Sequence, residues 1–208
     1  MSLPLIEHFF SAHSAFAWLG IRRLEAIALE RGRRIRHVPV PLDPLLEAAG
    51  AVPFRARPPG HVTHFFGREI ARWSEIRGRP WIGRMPTHHH ADYHLANRVL
   101  IAAEIAGHDP GPLAADMLTA HWEADADLSD RGALSGLLAA RGLPDPLIAA
   151  ADAPEAVQRH DANRDEAITR SVFGSPTYFV DGDMFYGQDR LDQVDRACLR
   201  PYAPTPQD

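Results

Sequence analysis

The sequence predicts an α/β fold in which a β-α-β opening and a β-β-α close are separated by a large all-helical insertion. Three observations carry this expectation. The opening forty residues run from a short apolar stretch, through apolar residues at helical spacing, to a second β-prone stretch. Residues 61–171 then read as helix after helix. Finally, residues 177–191 read as two short strands around an Asp-Gly turn, followed by a helix start.

Leu5 to Phe10 is a short apolar run suited to a buried strand. Ser11 to Ser14 breaks it, and Ser14 can cap the helix that follows. From Ala15 to Arg31, Phe16, Leu19, Leu24, Ile27 and Ala28 recur at helical spacing until Gly32 supplies a stop. Ile35 to Val40 reads as the second strand, and a β-α-β opening implies a right-handed crossover between parallel strands. The proline-rich stretch from Pro39 to Pro59 leaves the sheet, with a short helix over Pro44 to Gly50. Helices are expected over Val62 to Arg77, Ala91 to Ala106, Pro112 to Ala124, Arg131 to Ala140 and Pro154 to Ser171. Pro80, Pro86, Pro110, Pro144 and Pro146 fall at starts or in connections.

In the closing part, Thr177 to Val180 is β-prone, Asp181-Gly182-Asp183 is a turn signal, and Met184 to Tyr186 can pair back as a hairpin. Gly187 releases the chain into a helix beginning near Asp189, with Leu191, Val194, Ala197 and Cys198 on its inner face. This is the thioredoxin-like order. It divides the chain into a discontinuous thioredoxin-like domain, residues 1–60 and 172–208, and a helical insertion domain, residues 61–171.

Composition removes several functions. With 208 residues and 45% hydrophobic content the chain can bury a sizeable core. A formal charge of −5, spread along the chain, gives no electrostatic case for nucleic acid or an anionic membrane. No window has the apolar length of a membrane span, and Met1 to Glu7 lacks the pattern of an export signal, so a cytoplasmic location is expected. The chain contains no lysine, which excludes Schiff-base chemistry. Cys198 is its single cysteine, so no internal disulfide, Cys-x-x-Cys pair or multi-thiolate zinc site can form. Any thiol chemistry needs a thiol from outside.

The most informative segment runs from Val172 to Leu191. A cis bond between Ser175 and Pro176 would expose the backbone N–H and C=O of Ser175 for pairing with an extended peptide, whereas a trans proline would merely start a strand. Twelve histidines are many for this length, and His88-His89-His90 with His94 invites a metal reading. No acid or cysteine stands at ligand spacing around them, so a solvated or pocket-lining cluster and no metal site is the expectation. Phe65, Phe66, Trp73, Trp81, Tyr93 and Trp122 suit interhelical packing, with some lining a cleft where the helical insertion meets the sheet. Trp81 and Tyr93 flank the loop of residues 82–90 and are candidates for an aromatic substrate wall.

Val172-Phe173-Gly174-Ser175-Pro176-Thr177, followed by Phe185-Tyr186-Gly187-Gln188-Asp189-Arg190-Leu191, resembles the closing signature of the 2-hydroxychromene-2-carboxylate isomerases. These are relatives of kappa-class glutathione transferases and of thioredoxin-fold disulfide oxidoreductases with a helical insertion. The likeness extends over nearly the whole chain in length and element order. It implies glutathione as cofactor and makes Ser14, within Phe10 to Leu19, the serine facing the glutathione sulfur. A hydroxyl donor beside helix N-terminal N–H groups favours thiolate over thiol. Ser11 and His13 lie within reach of the same site, and His13 joins Trp81 and Tyr93 as a pocket candidate. The resemblance also assigns Ser175 and Pro176 to the cysteinyl backbone, and Gln188 and Asp189 to the γ-glutamyl head. Ala15, Ala17 and Ala51 depart from the family's proline, serine and asparagine, and Arg55 or Arg57 could replace the charge of a lysine that often helps bind glutathione.

The implied activity is cis-trans isomerisation of 2-hydroxychromene-2-carboxylate or a similar small aromatic or unsaturated acid through reversible thiolate addition, in a homodimer. The other readings are a kappa-like glutathione transferase and a non-catalytic peptide-binding protein using the Ser175–Pro176 edge.

Overall fold

The computed structural model describes residues 3–52 and 54–204, leaving out the side chain of Arg55. The elements run β1 (Leu5–Phe10), α1 (Ala15–Glu30), β2 (Arg34–Pro39), α2 (Leu42–Ala48), α3 (Pro59–Thr63), a π-helical turn (His64–Glu69) and α4 (Ile70–Arg77). They continue through α5 (His94–Ile105), α6 (Gly111–Ala124), α7 (Arg131–Ala140), α8 (Leu147–Ala150) and α9 (Pro154–Thr169). The chain closes with β3 (Thr177–Val180), β4 (Asp183–Tyr186), a 3-10 turn (Gln188–Arg190) and α10 (Leu191–Leu199). The expected α/β thioredoxin-like order, with helices inserted between strands, is therefore present.

The four strands form one mixed sheet in the order β2-β1-β3-β4. β1 runs parallel to β2, with Ile6 opposite Ile35, and antiparallel to β3, with Phe9 opposite Thr177. Alternation along β1 sends Ile6, His8 and Phe10 to one face and Phe9 to the other. Both faces are covered. On the first, Ile6, Tyr178 and Val180 pack with Leu24 and Ile27 of α1 and with Leu191 and Val194 of α10. On the second, Phe9, Val38 and Phe179 pack with Leu45 of α2 and Ala167 of α9. The N-terminal half of α1, including Trp18, Leu19 and Ile21, joins a further cluster with Leu100, Leu118 and Trp122 of the inserted helices. α1 thus reaches both the sheet and the helical insertion, which places its N-terminus at their junction.

Several boundaries differ from the sequence expectation for physical reasons. α2 begins at Leu42 rather than Pro44, because the Tyr93 hydroxyl accepts from the N–H groups of Leu42 at 3.0 Å and Asp43 at 3.4 Å. Pro44, lacking an N–H, fits inside that first turn. α5 begins at His94 rather than Ala91: Asp92 accepts from the His94 N–H at 2.9 Å and the chain before it is a turn. The expected 62–77 helix starts sooner, on Pro59, and contains the π turn. α8 is too short to show periodicity in the sequence.

Candidate active site

Ser14 is the N-cap of α1, and its hydroxyl oxygen accepts from the Ala17 N–H at 3.3 Å. The same hydroxyl donates to the Ser175 carbonyl at 3.2 Å, while the Ser11 N–H donates to Ser175 Oγ at 3.1 Å. Two hydrogen bonds therefore tie the start of α1 to the loop before β3, 161 and 164 residues away in sequence. The Ser175–Pro176 bond is cis. Pro176 accepts from the Gly187 N–H at 2.9 Å, and Thr177 Oγ1 donates to the Gly174 carbonyl at 2.8 Å. These bonds fix the loop but leave the N–H groups of Ala15, Phe16 and Ser175 without acceptors among the described residues. Orphan donors at a helix N-terminus suit an anion.

All three residues line a cavity of about 370 Å³ between α1, the loop before β3 and the inserted helices. Ser14 and Ser175 face it, as do Phe54, Phe65 and Phe66. Arg57 also lines it. Its Nε donates to the Val52 carbonyl at 3.1 Å, its guanidinium lies 5.9 Å from the Phe54 and Phe66 ring centres, and no carboxylate pairs it among the described residues.

His13 and Tyr93 line the cavity stacked on each other at 3.9 Å between ring centres. His13 Nδ1 lies 2.7 Å from Ser11 Oγ, and burial keeps the ring neutral by pushing its pKa well below 6.5. Burial also pushes the Tyr93 pKa up to about 12, so its phenol keeps a proton while accepting from the start of α2. His89 and His90 also line the cavity, while the sequence marks them only as members of a solvated or pocket-lining histidine cluster.

Other sequence candidates are placed elsewhere. Trp81 does not line this cavity; it packs against the helical core cluster that contains Trp18 and Trp122. Pro176 does not line this cavity, although Ser175 before it does. Gln188 is buried and turned away: its Oε1 accepts from Arg77 Nε at 3.1 Å and its carbonyl from Arg77 Nη2 at 3.0 Å. Gln188 therefore braces α4 against the closing turn, and Gly20 of α1 makes room for its Cβ. Asp189 is exposed, pairs with Arg190 at 2.9 Å and makes no side-chain cap bond. It stands near enough to Tyr186, at the cavity edge, for its charge to add to burial in raising that phenol's pKa. Ala51 is partly buried, and the Arg55 side chain lies outside the described residues.

Among the described residues no three His, Cys, Asp or Glu side chains are grouped to hold a metal ion. The histidines have other partners. His88 lies 3.4 Å from Asp127, His89 Nδ1 lies 3.0 Å from His121 Nε2, and His94 packs edge-on to His160. Cys198 is partly buried on α10, where burial raises its pKa. No helix among the described residues is long and apolar enough to cross a membrane.

The DSBA-like thioredoxin domain matches residues 5–198. A 2-hydroxychromene-2-carboxylate isomerase from Pseudomonas putida is 24% identical, aligned over 94% of this chain and 95% of that protein. A solved structure of 2-hydroxychromene-2-carboxylate isomerase superposes with a TM-score of 0.77 at 23% identity, covering 94% of this chain and 95% of that one. The cytosolic disulfide reductase DsbM from Pseudomonas aeruginosa, solved with GSH, superposes with a TM-score of 0.64 at 16% identity over 95% and 93% of the two chains. These solved structures share the fold.

Proposed function

Since the chain belongs to the DSBA-like thioredoxin domain family, we propose that it uses that fold as a glutathione-dependent cis-trans isomerase of small unsaturated hydroxy-acids such as 2-hydroxychromene-2-carboxylate. One observation carries the reading: Ser14 and the orphan N–H groups of Ala15 and Phe16 open onto one cavity beside the Ser175 backbone, in a chain with no cysteine pair. A dithiol exchange needs two thiols, and the single cysteine is placed on α10, away from this cavity. The site instead suits a thiol that arrives as a ligand.

Glutathione would lie along the loop before β3 as a short extended strand, its cysteinyl carbonyl accepting from the Ser175 N–H and its cysteinyl N–H donating to the Ser175 carbonyl. That exchange frees the Ser14 hydroxyl to turn from the carbonyl to the sulfur, where it and the α1 N-terminus favour the thiolate. Arg57 supplies a cation for a carboxylate in the cavity, and Asp189 a carboxylate for the glutamyl ammonium at the rim. The hemiketal ring opens first: its C–O bond breaks, the hydroxyl proton passes to the ring oxygen to give a phenol, and a keto group conjugated to the cis alkene is left. The thiolate then adds to the carbon β to that keto group, moving the alkene electron pair toward the carbonyl oxygen. Rotation about the resulting single bond, followed by expulsion of the thiolate, returns the alkene as the trans isomer with glutathione unchanged.

The test is to mix the protein with 2-hydroxychromene-2-carboxylate, with and without glutathione, and follow formation of trans-hydroxybenzylidenepyruvate by absorbance. Conversion only when glutathione is present, with no loss of free thiol, supports the proposal. Stoichiometric consumption of glutathione makes the protein a transferase, and product formation without glutathione removes the thiol from the mechanism.

A further inference from the structure

The cavity lining includes a histidine, His89, whose tautomer is dictated by its neighbours. The Ala126 carbonyl can only accept a hydrogen bond, and it lies 2.9 Å from His121 Nδ1, so that nitrogen carries the proton. In neutral His121, Nε2 is then a lone pair. It lies 3.0 Å from His89 Nδ1, which must donate to it. Neutral His89 is left with an unprotonated Nε2. Burial keeps both rings neutral, with the His89 pKa lowered to about 3.

His89 lines the cavity and His121 does not, so the Nδ1 edge of His89 faces the protein and the Nε2 edge is turned the other way. Nε2 has no partner among the described residues, and it is not among their enclosed unpartnered atoms, which are His8 Nε2 and Tyr178 OH. The His89 ring centre is 4.9 Å from that of His13, which adjoins Ser14. Among the other polar groups lining the cavity, the Tyr93 phenol keeps its proton while accepting from two backbone N–H groups, Arg57 is a cation, and Asp43, beside Tyr93, is a carboxylate. A bare ring nitrogen can only accept, and with a guanidinium on the same lining it suits an acid that also carries a hydroxyl group.

We propose that His89 Nε2 is the acceptor for the hydroxyl of a phenolic, enolic or hemiketal acid, and that His121 with the Ala126 carbonyl holds His89 in the accepting tautomer. This rests on the reading of the cavity as a substrate site and makes hydroxyl-bearing acids its substrate class. His89 is thus a specificity residue, and His121, which does not line the cavity, a positioning residue.

Two measurements test it without glutathione or turnover, so failure of the isomerase reading leaves them interpretable. Long-range nitrogen–proton NMR correlations of the full chain should show His89 protonated at Nδ1 and bare at Nε2. The opposite tautomer would overturn the proposal. Binding of trans-2-hydroxycinnamate against trans-2-methoxycinnamate, followed by fluorescence quenching, should favour the hydroxyl compound by about tenfold, the worth of one hydrogen bond made inside a pocket. His89→Phe should reduce that preference to about one, with the methoxy compound bound as before. His121→Phe should erode it with a changed His89 tautomer, while His121→Gln, whose carbonyl can still accept from Nδ1, should restore both. Equal binding of the two compounds to the wild type, or an unaltered preference in His89→Phe, would refute it.

Discussion

Ser14→Ala separates two roles of one hydroxyl. In the free protein the substitution removes a long cap bond to the Ala17 N–H, 3.3 Å, and the bond to the Ser175 carbonyl, 3.2 Å. The cap contributes about 0.5 kcal/mol at this length, the low end for a serine cap, and the carbonyl left without a partner costs about 1 kcal/mol. The sum of about 1.5 kcal/mol corresponds to a fall in Tm of roughly 3–6 °C for a domain of this size. In the glutathione complex the hydroxyl exchanges a neutral hydrogen bond of about 0.5–1.5 kcal/mol for one to a thiolate of about 1.5–3 kcal/mol. The difference, about 1–1.5 kcal/mol, is worth roughly one pKa unit. The assay is the near-ultraviolet thiolate absorbance of bound glutathione against pH, wild type beside Ser14→Ala, with saturation checked at each pH. The variant's bound thiol should titrate about one unit higher. Identical titration curves, with the stability loss still present, would reduce Ser14 to a helix cap and refute the assignment.

Three further outcomes follow from the same geometry. Burial pushes the pKa of His8, His37 and His160 below 6.5, to about 4 for the latter two, so the unfolded chain takes up protons that the folded one does not. Stability should therefore be full above pH 6.5 and decline as the pH falls toward 4, and His8→Phe, between Phe10 and Tyr178, should flatten the decline by up to about 1.4 kcal/mol per pH unit in urea titrations. Hydrogen bonds from Arg170 and Arg36 hold the Glu7 and Glu166 carboxyls below their ordinary 4.5, so that contribution is present above pH 4.5 and lost as the pH falls further. Each group is partly exposed, and Glu7→Gln should cost about 1 kcal/mol at neutral pH by thermal denaturation, with the gap closing in acid. Gly20→Ala places a Cβ 2.8 Å from Tyr178 OH and 2.9 Å from Gln188 Cβ, so overpacking of about 1–3 kcal/mol should outweigh the helix-propensity gain of about 1 kcal/mol and lower Tm.

The sheet was legible because its four short runs are bounded by local punctuation: Ser11 after β1, Gly32 before β2, Pro176 before β3 and Asp181-Gly182 in the closing hairpin. Helix starts set by distant partners were not. The first turn of α2 depends on a phenol 51 residues away, which no local pattern reports. At the site, Ser14 and Ser175 could be read from a cap and a Ser-Pro peptide. Gln188 was drawn off by Arg77, 111 residues away in sequence, and Trp81 packs inward because flanking a loop does not fix where a side chain points. His89 was hidden within a run of three histidines. Its partner His121 lies next to Trp122 on α6, and only the folded chain distinguishes it from its neighbours.

In the proposed mechanism an external thiol, glutathione, is held between Ser14 and the Ser175 loop. Calorimetric titration of the full chain with glutathione tests it most directly, with Arg57→Ala and Asp189→Ala beside the wild type. Binding with a Kd on the order of micromolar to millimolar is expected, weakened about tenfold by loss of either charge. No heat and no thermal shift at saturating glutathione would remove glutathione from this site and from the mechanism.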